Sequence, residues 1–291
     1  MVNILVIGTT GMLGSTFIKV LGKSSFQVTE ANRTGSAILS NNKIIQFDIE
    51  SDHIKKLLKS AFEYDYIVNF SGLIKHKIED DLSPFKINSS FPQQLAEFSH
   101  GVPIIQIGTD CVFSGETGDY SENSTRDASD LYGRSKIEGE VNSHNFLNLR
   151  CSVIGTERGT SFELLEWVRN AEPNATLSGY LNHYWNGLTT LAFSRIVVGI
   201  IEQNHFFCGT AHIVPSDFVT KAKLIRLIVE YFDRPDLTVL DSFDSKYVNR
   251  TLKTENSELN KKIWELGGYM DIPSIEDMIR EYSEWIKGGN L

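Results

Sequence analysis

The sequence predicts an α/β protein: a doubly wound parallel sheet with a smaller C-terminal α/β lobe. Three observations predict it. Short apolar runs alternate with segments of helical periodicity through the first half of the chain. A GxxGxxG stretch, Gly8-Thr9-Thr10-Gly11-Met12-Leu13-Gly14, joins the first apolar run to the first helical segment. A Tyr-x-x-x-Lys pair, Tyr132 and Lys136, lies further along on a helical stretch that follows another strand.

Residues 2–7 form a nearly continuous apolar run, interrupted by Asn3, as a strand buried on both faces requires. Leu13, Phe17, Ile18 and Leu21 recur at helical spacing, and Gly22 can stop that helix. Residues 26–31, 44–47, 66–70, 103–107 and 146–149 read as further strands. Between them, residues 52–61 (capped by Ser51), 92–100 and 130–144 read as helices. Alternation of this kind implies right-handed βαβ units in one parallel sheet. Beyond about Gly155 the pattern weakens. Residues 162–171 and 192–203 look helical, as does 218–232 behind a Ser216 cap. Ser274, with Asp277 three residues on, opens a last helix. The division expected is a dinucleotide-binding domain over 1–155, completed by parts of 180–210, and a substrate-binding lobe over most of 156–291.

Composition narrows the function. The chain has 291 residues, 41% hydrophobic and 22% charged, which is ordinary globular composition. Lys and Arg total 28 against 37 Asp and Glu, a net charge of −9, so no nucleic-acid partner is expected. No apolar stretch approaches the length of a membrane span, and the first residues lack a basic segment before a long apolar one; a cytoplasmic protein without membrane partners is expected. Cys111, Cys151 and Cys208 are far apart, and neither CxxC nor HExxH occurs, so neither a disulfide framework nor a metal site is expected.

The glycine stretch has the chemistry of a phosphate cradle. Gly8, Gly11 and Gly14 permit a tight turn and close backbone approach, and the helix opened by Thr10, Met12 and Leu13 offers free N–H groups to a pyrophosphate. The end of the second strand selects the cofactor. Asn32 followed by Arg33 suits the 2′-phosphate of NADP(H) over the free hydroxyl of NAD(H), because guanidinium clamps phosphate. Glu30 points the other way if the strand ends earlier. Asp48 and Ile49 follow the third strand, where an adenine would lie. Asn69, Ser71 and Gly72 end the fourth, at the crevice beside the cofactor.

Tyr132 and Lys136 share one helix face, and an ammonium there is expected to lower the phenol pKa and equip it for proton transfer. Thr109, at the carboxyl end of a strand, can reach the same carbonyl oxygen. Tyr180, Tyr184 and Trp185 form an aromatic cluster suited either to a base or sugar ring or to core packing. His76, His183 and His212 read as surface or core residues, and 79–81 as a solvated acidic face.

The glycine loop, Asn69-Phe70-Ser71-Gly72, Gly108-Thr109-Asp110-Cys111-Val112-Phe113-Ser114-Gly115 and Tyr132-Gly133-Arg134-Ser135-Lys136 together resemble the extended short-chain dehydrogenases/reductases. The branch most similar is the dTDP-4-dehydrorhamnose reductase-like sugar-nucleotide reductases. The resemblance extends to Glu138-Gly139-Glu140, Arg150 and Asn249-Arg250-Thr251-Leu252. It implies a Rossmann-type fold, a nucleotide-sugar substrate, a homodimer, and NADPH-dependent reduction of a keto group, at C4. Tyr132 would be the general acid, Lys136 would hold the nicotinamide ribose, and Thr109 would bond the reacting oxygen. Asp110, Val112, Phe113, Trp185 and Arg250 would border the substrate. Asn88 matches a structural asparagine. Cys111, Ser114 and Leu73-Ile74-Lys75-His76-Lys77 depart from the pattern and leave the sugar open. Two alternatives share these motifs: an epimerase or dehydratase with tightly held NAD, and a non-catalytic NADP-binding regulatory subunit like the methionine adenosyltransferase β subunit.

Overall fold

The computed structural model describes residues 1–22, 24–58, 63–79, 82–157 and 163–290. Its centre is a seven-stranded sheet made from β1 (Asn3–Ile7), β2 (Gln27–Asn32), β3 (Lys43–Gln46), β4 (Tyr66–Asn69), β5 (Ile104–Ile107), β6 (Phe146–Arg150) and the late strand Gly209–His212. The spatial order is Gly209–His212, β6, β5, β4, β1, β2, β3, and every pairing is parallel. The order reverses between β1 and β4, so a crevice opens at their carboxyl ends, where open α/β sheets bind ligands. Register aligns those ends: Ile7 lies beside both Ala31 and Asn69, and Asn69 beside Gln106.

The unbroken apolar runs follow from two buried faces. Ile4 and Val6 point to one core, with Val68, Ile105 and Leu147; Leu5 and Ile7 point to the other, with Ile67, Ile104 and Phe146. The first face is covered by Phe17, Ile18 and Leu21 of the Met12–Leu21 helix and by the Thr190–Glu202 helix, whose residues are buried almost all round. Phe91 and Leu95 of the Phe91–Phe98 helix cover the second. Each such side chain, buried fully, contributes about 1.5–3 kcal/mol. The first core continues into the C-terminal half through Leu224, Ile228, Trp264, Met278 and Tyr282, so the second half packs on the sheet.

Four expected helices change most. Residues 52–58 make a short turn, Ile54–Lys56, capped by His53 Nδ1 rather than Ser51 (59–61 lie outside the described residues). Asp52 instead accepts from the Asp48 N–H at 2.9 Å and pairs with Lys56. The helix expected over 130–144 spans Leu131–Glu138. Gly139 presses on the Asn88 carbonyl, and side chains of Gln106 and Asn148 take the carbonyls of Gly139 and Val141, both at 3.0 Å. The helix near 218 starts at Lys221, capped by Thr220 and not Ser216, because Val219–Thr220 pairs with Tyr184–Trp185 as strand. The helix expected over 162–171 spans Leu164–Arg169, and residue 162 lies outside the described residues. Ser274 and Asp277 form the capping box that the sequence predicts.

Candidate active site

The turn after β1 is built for close approach. Gly8 has φ of +82°, and a Cβ on it would stand 2.8 Å from the Ser71 nitrogen; a Cβ on Gly14 would stand 2.3 Å from the Gly8 carbonyl oxygen. Only hydrogen fits at either position. The Met12–Leu21 helix starts at Gly11 with no side-chain cap and no acidic residue in its first turn. Its leading N–H groups and positive dipole end therefore face the crevice. This cradle fits the pyrophosphate of a dinucleotide, and Met12, Leu13 and Gly14 would supply its donors.

Two cavities share the wall Gly11, Phe70, Ser71, Gly72 and Leu73. The smaller, about 240 Å³, is lined by Gly8, Thr10, Asn32, Arg33, Asp48 and Ile49. The larger, about 460 Å³, is lined by Thr109, Asp110, Cys111, Tyr132 and Lys136, with Met12, Leu13 and Gly14 on its near side.

The cofactor-selecting end of β2 is sorted by hydrogen bonds. Glu30 is fully buried, and its carboxylate accepts from the N–H groups of Ile38 and Leu39 and from Asn42 Nδ2 at 2.9 Å. It fastens the 38–42 loop and does not face the crevice. Asn32, predicted as a cofactor contact, spends its side chain on the turn beneath: Nδ2 donates to Thr9 Oγ1 (2.8 Å) and the Ser36 carbonyl, and Oδ1 accepts from Thr34 and Gly35. Arg33 beside it is exposed on the cavity edge. Asn69 likewise acts through the backbone: its Oδ1 accepts from the Ser71 N–H and hydroxyl, and its Nδ2 donates to Gln106.

Thr109, Tyr132 and Lys136 converge. Thr109 caps the Asp110–Val112 turn by accepting from the Cys111 N–H at 3.2 Å. Asp130 caps the Leu131–Glu138 helix through the Gly133 N–H at 2.8 Å, which sets the direction of Tyr132 and Lys136. Lys136 Nζ lies against Gly72. Asn88 locks this arrangement: Oδ1 accepts from Leu73 N–H, and Nδ2 donates to Ser135 Oγ at 3.0 Å. The expected lowering of the Tyr132 phenol does not occur. Burial pushes its pKa well above the ordinary value, the neighbouring Cys111 adds to that, and a hydrogen bond with Thr109 offsets only part. Burial brings Lys136 down to about 8, against the pull of Glu140. Burial drives the Cys111 thiol up to about 12, so it lines the cleft as a neutral group.

Among the residues expected to border substrate, Asp110 lines the cleft. Val112 and Phe113 are fully buried with Tyr120 and Leu252 as a packing cluster. Trp185 is anchored by Nε1 to Ser152 Oγ at 2.9 Å, and Ser152 lines the cleft. Tyr184 packs on Phe218 and Tyr247, and Tyr180 on His183. Arg250 is half-buried and donates to the Phe113 carbonyl (2.9 Å) and the Ser114 carbonyl. Arg150 is buried and grips Glu140 with two bonds, at 2.5 and 2.6 Å, while burial holds the His212 beside it below its ordinary pKa. His76 lines the cleft with its neighbours in the departing 73–77 stretch, whereas sequence reasoning missed Cys151, Ser152 and Val153, and Glu157 and Glu163, which line it too. The first three follow β6, so the strand-end rule points to them; the others carry no spacing signal. Of the acidic run at 79–81, residues 80 and 81 lie outside the described residues.

A family model, the RmlD substrate binding domain, matches residues 2–286. A probable low-salt glycan biosynthesis reductase of Haloferax volcanii is 28% identical over 237 residues, 74% of this chain and 77% of that protein. Methionine adenosyltransferase 2 subunit beta of Danio rerio is 28% identical over 142 residues, 47% of this chain, and the chain spans only 42% of that relative's length. Among solved structures, a dTDP-4-dehydrorhamnose reductase of Bacillus anthracis in complex with NADP superposes with a TM-score of 0.76 at 17% identity, covering 99% of this chain and 100% of that one. A dTDP-glucose 4,6-dehydratase of the same organism, in complex with NAD, gives 0.74 at 15% identity, covering 99% and 97%. No helix among the described residues is long and apolar enough to cross a membrane. The chain therefore belongs to the RmlD substrate-binding-domain family.

Proposed function

We propose that this chain reduces a keto group, at C4 of the ring, on a nucleotide-activated deoxysugar, with NADPH as reductant. The observation that carries the reading is the meeting of Thr109, Tyr132 and Lys136 in one cleft that shares a wall with the glycine cradle. When bound, the cofactor supplies the hydride for the carbonyl carbon. Thr109 and Tyr132 hold the carbonyl oxygen between two hydroxyls. Tyr132, kept protonated by burial, gives its proton to that oxygen as negative charge develops there. Lys136, cationic below about 8, stabilises the same charge. The preference for NADPH rests on Arg33, exposed where a 2′-phosphate would lie, and on Glu30, whose carboxylate is spent on the 38–42 loop.

The test is a panel of 4-keto nucleotide sugars, each offered with NADPH and with NADH, read as loss of the reduced cofactor's near-ultraviolet absorbance. Turnover on at least one member, faster with NADPH, is the expected result. The likeness to a dehydratase carrying NAD favours a second reading, an epimerase or dehydratase that recycles tightly held NAD. In that case the purified protein carries the cofactor's absorbance and consumes no added NADPH. The match to a methionine adenosyltransferase subunit raises a partner-bound role, for which a stable heteromeric complex without turnover on any panel member is the signature.

A further inference from the structure

The wall of the larger cavity holds a group of side chains that the proposed reaction does not use. His76 lies in the Lys75–Lys77 turn after β4, and Glu157 and Glu163 lie beyond β6. Each offers one ligand-capable atom, and the three atoms lie within 4.8 Å of one another. All three residues line the larger cavity. Donors about 2.0–2.2 Å from one ion stand about 3–4 Å apart, so small side-chain rotations close this set onto a metal. His76 is exposed and the two glutamates are half-buried, which leaves room for those rotations.

We propose that His76, Glu157 and Glu163 form a site for one divalent transition metal ion of the zinc, cobalt or nickel class, with a coordination position open to the cleft. The donor set argues the class. One imidazole with two carboxylates and no thiolate is borderline in softness; magnesium and calcium sites use oxygen donors, and copper(I) seeks sulfur. Three protein ligands with a fourth place free is also how zinc is held when it must accept an exogenous oxygen. A second feature points the same way. Glu157 accepts from the Glu163 backbone N–H at 3.1 Å, which fixes one carboxylate beside the other residue. Two carboxylates in this relation favour an added dication. The ion would tie the turn after β4 to the chain that leaves β6, in the wall of the cavity that Tyr132 also lines. The inference does not depend on the reaction proposed above.

The test is titration of the metal-free full-length chain with Co²⁺ and Zn²⁺, followed by calorimetry and by the visible absorption of bound Co²⁺. One ion per chain is expected. Binding should weaken at least about tenfold in His76→Ala, Glu157→Gln and Glu163→Gln, judged by the cost of lesser changes around metal sites. Circular dichroism confirms that each variant is folded. Wild-type affinity in a folded Glu157→Gln/Glu163→Gln double variant overturns the proposal. So does a wild-type chain that takes up no ion, or an anomalous difference map of zinc-soaked crystals without a peak between these side chains, neither of which needs a variant.

Discussion

Lys136 lies against Gly72: a Cβ built on residue 72 would stand 3.2 Å from the ammonium nitrogen and 3.3 Å from Asn88 Oδ1. The absent side chain is what lets the ammonium reach the shared wall of the two cavities. Gly72→Ala should displace Nζ by a few tenths of an ångström and lower kcat/KM about tenfold, since small misplacements near reacting atoms are costly. Steady-state kinetics beside a thermal melt checks this: the melt should move little, and an equal loss of stability and activity would contradict it.

The alkaline limb of the pH profile should belong to Lys136. Burial places its pKa at about 8, while the Tyr132 phenol is pushed above its ordinary value and keeps its proton. The ammonium is therefore lost as pH rises through about 8, and kcat/KM of the free enzyme should fall there. Lys136→Arg should move the limb upward. The linked stability effect has the opposite sense. The unfolded chain binds this proton up to the ordinary lysine value of 10.5 and the folded chain only up to about 8, so across that window the Lys136 contribution to folding stability rises with pH.

Glu140 and Arg150 form a buried pair, their side chains 5% and 4% exposed, and Arg126 joins from the rim. Truncation of Glu140 to Ala strands a guanidinium in the core and should cost about 3–5 kcal/mol in urea unfolding. Replacement of both partners, Glu140→Leu with Arg150→Met, should cost less than the single change. A single variant as stable as the wild type would remove this pair from the account of the fold.

Arg33 should discriminate between cofactors. Arg33→Ser should raise the KM for NADPH about tenfold or more, the worth of a hydrogen bond to a charged group, and leave that for NADH nearly unchanged. Equal effects on both cofactors would place the 2′-phosphate elsewhere.

Much of this is legible in the amino-acid sequence. Apolar runs such as 2–7 gave the sheet, because strands buried on both faces lack alternation, and the glycine turn gave the crevice. The Tyr132/Lys136 pair was legible because helix geometry fixes which residues share a face. What failed was whatever depends on three-dimensional neighbours. The sequence reading left Glu30 as a rival ribose contact, and only its bonds to Ile38 and Leu39 show where the carboxylate goes. Asn32 lines the smaller cavity, and only the folded chain shows that its side chain also binds four partners in the turn. The sign of the Tyr132 shift needed the burial of the cleft base. His76 and the two glutamates are some eighty residues apart in the chain, so no local pattern could join them.

In the proposed reaction Tyr132 delivers the proton in the cleft beside the cradle. The most direct test is Tyr132→Phe, measured for NADPH binding by fluorescence titration and for turnover on the reactive member of the sugar panel. Cofactor affinity should stay close to wild type, with kcat lower by about 100-fold or more, the usual worth of a positioned acid. Turnover that survives the loss of this single hydroxyl would contradict it.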